Sequence, residues 1–191
     1  SITITAPAAN SYLPTSFTVQ GACEMGLVVV VGGAGLAADV SVPCSGGAYS
    51  ANVNVSAGEG SKLVTAKQTD AVGNTATASR TFLRDTVAPL LTITSPANGT
   101  SARGTIQLVG TCESGLTVSF SGPGLSTASS VTCSAGSYTA NLTFSANDGA
   151  KTINVSETDA AGNTTQVSGT YNNDMTPPTI AITSPAANTS A

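Results

Sequence analysis

Lys151-Thr-Ile-Asn-Val-Ser-Glu157 runs into Thr158-Asp-Ala-Ala-Gly-Asn163 and out again through Thr164 to Tyr171. In the first part Ile153 and Val155 alternate with polar residues, the period-2 pattern of a strand with one solvated face. Asp159-Ala-Ala-Gly-Asn163 reads as a tight hairpin turn in which Gly162 is free to take a positive φ. Working backward, Ser137-Tyr-Thr-Ala-Asn-Leu-Thr-Phe144 places Tyr138, Ala140, Leu142 and Phe144 on one face. Ser129 to Cys133 is a short edge strand, and Leu116-Thr-Val-Ser-Phe120 is another strand. Thr105 to Cys112 alternates with Ile106 and Leu108 inward, and Leu91-Thr-Ile-Thr94 opens the series before Ser95-Pro96 ends it. No segment has a helical period. Seven short strands with turns at this spacing predict an all-β fold, a sandwich of two sheets.

The whole pattern recurs at a step of 89 positions, without a gap: Cys23 returns as Cys112, Cys44 as Cys133, Asp70 as Asp159 and Pro7 as Pro96. The chain therefore reads as two tandem domains of about seven strands each, residues 1–85 and 86–174. Residues 175–191 read as a linker and the opening strand, Thr179-Ile-Ala-Ile-Thr183, of a third repeat. Arg84-Asp-Thr-Val-Ala-Pro89 and Asn173-Asp-Met-Thr-Pro-Pro178 are short joints ending in Pro, which restrict swing more than a Gly/Ser tether does. A protein built by repeating one small unit commonly uses it for length, spacing or display.

Composition excludes several functions. The chain has no His and no Trp, and only 8% of its residues are charged. The commonest general base and metal ligand is thus missing. The net charge of −4 with no basic cluster argues against nucleic acid and anionic membrane surfaces as partners. Leu27 to Val31, the longest apolar run, is far too short for membrane insertion. No signal peptide is visible, which is expected of a mature or excised chain. The many Ser and Thr have no His to activate them, and Gly32-Gly-Ala-Gly35 lacks the helix and Lys of a phosphate cradle. Tyr49 and Tyr138 sit at equivalent strand positions and read as packing residues.

Four cysteines in register predict one bridge per unit, Cys23 to Cys44 and Cys112 to Cys133. Zinc is the competing reading, but no CxxC and no His supports it. Disulfides imply an oxidising compartment, so the chain is expected to be secreted or at a cell surface.

Three motifs appear in both units: Thr69-Asp-Ala-Val-Gly-Asn74 and Thr158 to Asn163, the joints Asp85 to Pro89 and Asp174 to Pro178, and the turns Gly21 to Gly26 and Gly110 to Gly115. Together they resemble the bacterial immunoglobulin-like tandem repeats of large surface adhesins and biofilm-associated proteins. That resemblance covers essentially the whole chain. It implies immunoglobulin-like sandwiches forming an extracellular stalk, often stiffened by calcium, with no catalysis expected. The cysteine spacing departs from antibody-type domains, whose bridge crosses the core beside a Trp. Here the pair is expected to clip the turn after the second strand to the strand following the third.

Eight of the ten acidic residues fall in repeat-equivalent pairs, and only Asp39 and Glu157 lack a partner. In such a sandwich, Glu113, Asp159 and Asn163 would lie at the end where the second domain begins, Asp85 in the joint and Glu59 at the bottom of the first domain. These five are the candidate ligands for an interdomain calcium ion, which takes six to eight hard oxygen donors. The plainer alternative makes Asp70 and Asp159 caps of their own turns, leaves Glu24 and Glu113 solvated, and pairs Asp85 with Arg84 or Arg103. The functional expectation is a non-enzymatic stalk whose partners are neighbouring repeats of the same chain. Two alternatives stand beside it. One is an adhesive module for cell-surface glycan or protein. The other is a self-assembling filament subunit, completed through residues 179–183.

Overall fold

The computed structural model describes residues 1–181, 183 and 184. Among them there are strands and no helix. The chain divides into two compact units, Ser1–Ala88 with Asp159–Asn163, and Pro89–Thr158 with Thr164 onward.

The first sandwich contains β1 (Tyr12–Leu13), β2 (Ser16–Ala22), β3 (Val28–Gly32), β4 (Val40–Pro43), β5 (Ala48–Asn54), β6 (Gly60–Thr69) and β7 (Thr75–Arg84). The second repeats them as β8 (Ser101–Ala102), β9 (Thr105–Thr111), β10 (Thr117–Ser121), β11 (Ser129–Thr132), β12 (Ser137–Thr143), β13 (Gly149–Thr158) and β14 (Thr164–Asn173). One layer of each is a five-stranded sheet, in the order β1-β7-β6-β3-β4 and β8-β14-β13-β10-β11. The other is the antiparallel pair β2-β5 or β9-β12. The sheets meet on their alternating apolar faces. Leu108, Ala140 and Leu142 from one side pack against Val118, Phe120, Ile153, Val155 and Tyr171 from the other. Burial of this apolar surface drives the fold.

The opening segments depart from expectation. Leu91 to Thr94 is not a regular strand. It lies along β9 through Thr92 N–H to Thr111 O (3.0 Å) and Thr94 N–H to Val109 O (2.8 Å). Thr3 and Thr5 hold the first unit's segment to Ala22 O and Gln20 O in the same way. The seventh strand of each unit is instead the two-residue β1 or β8, which pairs parallel with the last strand: Tyr12 with Leu83, and Ser101 with Asn172. A two-residue strand has no period to detect, and its partner is far away in sequence. In the proposed third opening strand, Thr179, Ile180, Ala181 and Thr183 lie in no strand, and Ile182 is outside the described residues.

Gly110 makes the opening segment fit. A Cβ at this position would collide with Thr92 O and the Tyr138 ring, and Gly21 stands identically against Thr3 O and Tyr49. The bare backbone lets the tyrosine hydroxyl reach across: Tyr138 donates to Thr92 O and Tyr49 to Thr3 O, both at 2.9 Å. Both rings are buried, as packing residues should be.

Candidate functional site

The two disulfides are formed, Cys23–Cys44 and Cys112–Cys133, each with a Cα–Cα distance of 5.9 Å. Each ties the segment after β2 or β9 to the end of β4 or β11. Among the described residues, one group of three His, Cys, Asp or Glu places ligand atoms within 4.8 Å of one another: Cys112, Cys133 and Glu157. Both sulfurs are spent in the bridge, so that group offers no thiolate to a metal.

The five candidate calcium ligands occupy turns. Asp159 Oδ1 accepts from Ala161 N–H (2.9 Å) and Asn163 N–H (2.8 Å), while its Oδ2 accepts from Asn163 Nδ2 (2.9 Å). Asp70 repeats this geometry with Val72 and Asn74. The turn closes because Gly162 and Gly73 take φ of +89° and +91°. Both carboxyls lie below the usual range. At Asp70 the Asn74 side chain contributes most. At Asp159 desolvation pushes upward, but hydrogen bonds from Asn163, Ala161 and Gly162 outweigh it. Within the first unit, Asn163 Nδ2 also donates to Asp85 O at 3.1 Å. The Asp85 carboxylate accepts from Val87 N–H at 3.0 Å, capping its own turn.

Glu59 fastens the end of β7. Its carboxylate accepts from Thr86 N–H (2.9 Å), the Thr86 hydroxyl (2.6 Å) and Arg84 Nη1 (3.3 Å). The Thr86 hydroxyl contributes most to holding this carboxyl below its ordinary value. Arg84 thus pairs with Glu59 rather than with Asp85. Asp148 holds Met175 and Thr176 in the second unit by the same device. Glu113 belongs to the second unit, and its N–H donates to Glu157 Oε2 at 3.1 Å.

Three features emerge only from packing. Lys62 and Lys151 are buried, with each ammonium donating to a backbone carbonyl (Ala57 O and Ala146 O, 2.8 Å) and to a serine hydroxyl. Their recurrence in register was the available signal. Glu157 is 1% exposed, and its Oε1 has no partner among the described residues. Burial pushes its carboxyl above the ordinary value, the Glu113 charge adds to this, and the Glu113 N–H opposes it. Its counterpart, Gln68, accepts from Glu24 N–H (2.9 Å) and donates to Glu24 O (3.1 Å). The signal was an acid without an acidic partner in the other repeat. The third feature is Arg80 on β7, matched in the second unit by Gly169.

No family model and no curated protein matches the chain. Solved structures do. Fibronectin(III)-like modules of Clostridium thermocellum CbhA align over 91% of this chain and 94% of theirs, with a TM-score of 0.53 and 15% identity. A tetra-tandem repeat from the extending region of a large adhesion protein aligns over 91% of this chain and 48% of its own, with 20% identity and a TM-score of 0.40. A BSP domain of a biofilm-associated protein aligns at a TM-score of 0.32 and 18% identity, over 92% of this chain and 30% of its own. The first likeness shows the fold: sandwich modules of the immunoglobulin and fibronectin-III kind. At their scores the other two carry no argument about function.

Proposed function

We propose that the chain is a non-enzymatic extracellular tether, a run of modules that transmits tension between whatever lies at its two ends. The observation that carries this reading is the parallel pairing of the short first strand with the last in each unit. Asn10 N–H donates to Thr81 O and Leu83 N–H to Ser11 O, both at 2.9 Å. In the second unit Gly99 N–H donates to Thr170 O (2.8 Å), Asn172 N–H to Thr100 O (3.0 Å) and Asp174 N–H to Ala102 O (3.1 Å). The chain enters a unit ahead of one strand and leaves it after the other. A pull on the two ends therefore drives parallel partners past each other, and their hydrogen bonds must break together. An antiparallel hairpin pulled at its open end breaks them one at a time.

The chemistry agrees. The disulfides fit an oxidising, extracellular setting. The carboxylates in the turns and joints are engaged by N–H and O–H donors, as structural caps are. Pulling on the ends of the chain tests the reading. Unfolding of each unit in its own high-force event supports it, and smooth extension at low force contradicts it.

Calcium held by Glu59, Asp85, Glu113, Asp159 and Asn163 belongs to the same proposal as a stiffening element. It is supported by hard oxygen atoms that retain lone pairs beyond their present hydrogen bonds. A calorimetric titration of the chelator-treated protein is expected to give saturable calcium binding that is lost in Asp85→Asn/Glu113→Gln. A flat titration removes calcium and leaves the tether.

A further inference from the structure

In the first unit Arg80 turns its guanidinium from β7 onto the opening segment. Its Nη1 donates to Pro7 O at 2.6 Å and Thr5 O at 3.2 Å. This contact locks the first segment of the sandwich to its last strand with a charged donor, the stronger class of hydrogen bond. A step of 89 positions carries these three residues to Gly169, Pro96 and Thr94. The acceptors persist in the second unit, and the donor is gone. Among the described residues nothing donates to Thr94 O or Pro96 O.

A cavity of about 280 Å³ occupies that place, lined by Ile93, Thr94, Pro96, Val167, Ser168 and Tyr171 among others. A second change accompanies the first, since Phe82 is replaced by Tyr171. The Tyr171 hydroxyl lies 2.4 Å from where a Cβ on residue 169 would stand, so an arginine at 169 would require this ring to move. Tyr171 is 1% exposed, and its hydroxyl has no hydrogen-bond partner among the described residues. Buried hydroxyls without partners are rare enough to call for an explanation.

We propose that this cavity in the second unit receives an arginine side chain from a partner polypeptide, with Thr94 O and Pro96 O as acceptors and Tyr171 as its wall. The first unit fills the equivalent space with its own arginine and is closed to such a partner. The ligand class follows from the lining. Its polar lining comes from backbone carbonyls, the hydroxyl-bearing Thr92, Thr94, Ser168 and Tyr171, and the Asn98 amide, with no Lys or Arg to attract an anion. Arg80 serves both carbonyls through the two N–H bonds of its Nη1, and a guanidinium, more weakly hydrated than an ammonium, loses less water on entering such a cavity. A single side chain on two carbonyls binds weakly, in about the millimolar range when detached from its protein.

The test is an NMR titration of the ¹⁵N-labelled protein with N-acetyl-arginine amide, with N-acetyl-lysine amide as control. The expected result is saturable shifts at the amides of residues 93–95, 97 and 167–171, none at 4–6, 8 and 78–82, and at least several-fold weaker response to the lysine compound. Gly169→Arg/Tyr171→Phe recreates the first unit's arrangement and should abolish the shifts. Arg80→Gly opens the first unit and should create them at residues 4–6 and 8. This gain of binding tests the proposal even if the double variant does not fold. No saturable shift in the second unit overturns the proposal, as does an equal response in both units or to both compounds. Binding that survives in a folded Gly169→Arg/Tyr171→Phe protein also overturns it.

Discussion

Replacing Cys112 and Cys133 together by Ala is expected to lower the stability of the second unit by about 3 kcal/mol. The bridge spans a sequence separation of 21, and closing a loop of that size removes about this much chain entropy from the unfolded state. In a domain of this size the corresponding fall in melting temperature is roughly 12–24 °C. The location of the bridge matters as much as its entropy. Cys112 and Cys133 are both buried, and they fix β11, the edge strand paired with β10, against the start of the turn that Glu157 caps. The first unit has the same separation and should respond equally to Cys23→Ala/Cys44→Ala. Urea denaturation of each variant is the check. A loss below about 1 kcal/mol would place the stability elsewhere, in the sheet cores alone.

Glu157→Gln is expected to stabilise the second unit by about 1–3 kcal/mol at neutral pH, the scale of an unsatisfied buried polar group. The other repeat explains why. Gln68 uses both ends of its amide on Glu24, as acceptor from the N–H and donor to the carbonyl. An ionised Glu157 can reproduce only the first contact, and its Oε1 is left unpaired. A protonated Glu157 carries the missing donor, so the folded state favours the neutral form. The groups around it add no countercharge: the disulfide is neutral, Glu113 repels, and Tyr138 is itself raised to about 12, chiefly by burial. The sign of the pH dependence follows. The folded carboxyl titrates above its ordinary value of 4.5, so between the two values the folded chain holds a proton that the unfolded chain has released. Stability is therefore greatest below the unfolded value and falls as pH rises toward the folded one. Denaturation curves from pH 4 to 8 should show this decline in the parent and its loss in Glu157→Gln. Parallel curves for the two proteins would contradict it.

The strands of the sandwich were legible because most of them bury one face and wet the other. β5 and β12 alternate strictly between exposed and buried, and Ile153 and Val155 point inward as their period requires. The turns were legible because Asp, Gly and Asn each have a distinct physical task in them, and Asp159 with Asn163 performs it. The parallel strands β1 and β8 were not legible, because two residues carry no period and their partners are distant in sequence. Leu91 to Thr94 reads as a strand from its alternation, yet it is a segment pinned by Tyr138 through the gap that Gly110 leaves. The acids illustrate the limit most clearly. Their recurrence gave positions but not partners, and only packing shows that Glu59 grips Thr86 while Glu157 lies inside the sandwich. Arg80 and Gly169 differ by a single letter in a repeat, and only the contacts to Thr5 and Pro7 give that difference a meaning.

Single-molecule pulling through the two ends of the chain, under oxidising and then reducing conditions, decides whether the two units bear load. Two separate high-force unfolding events are expected. Reduction should lengthen the extension released by each, since 21 residues held behind each bridge then become free to extend. That gain is about 70 Å per unit at the reach of an extended chain. A trace that extends smoothly at low force, with no discrete event for either unit, would contradict the tether.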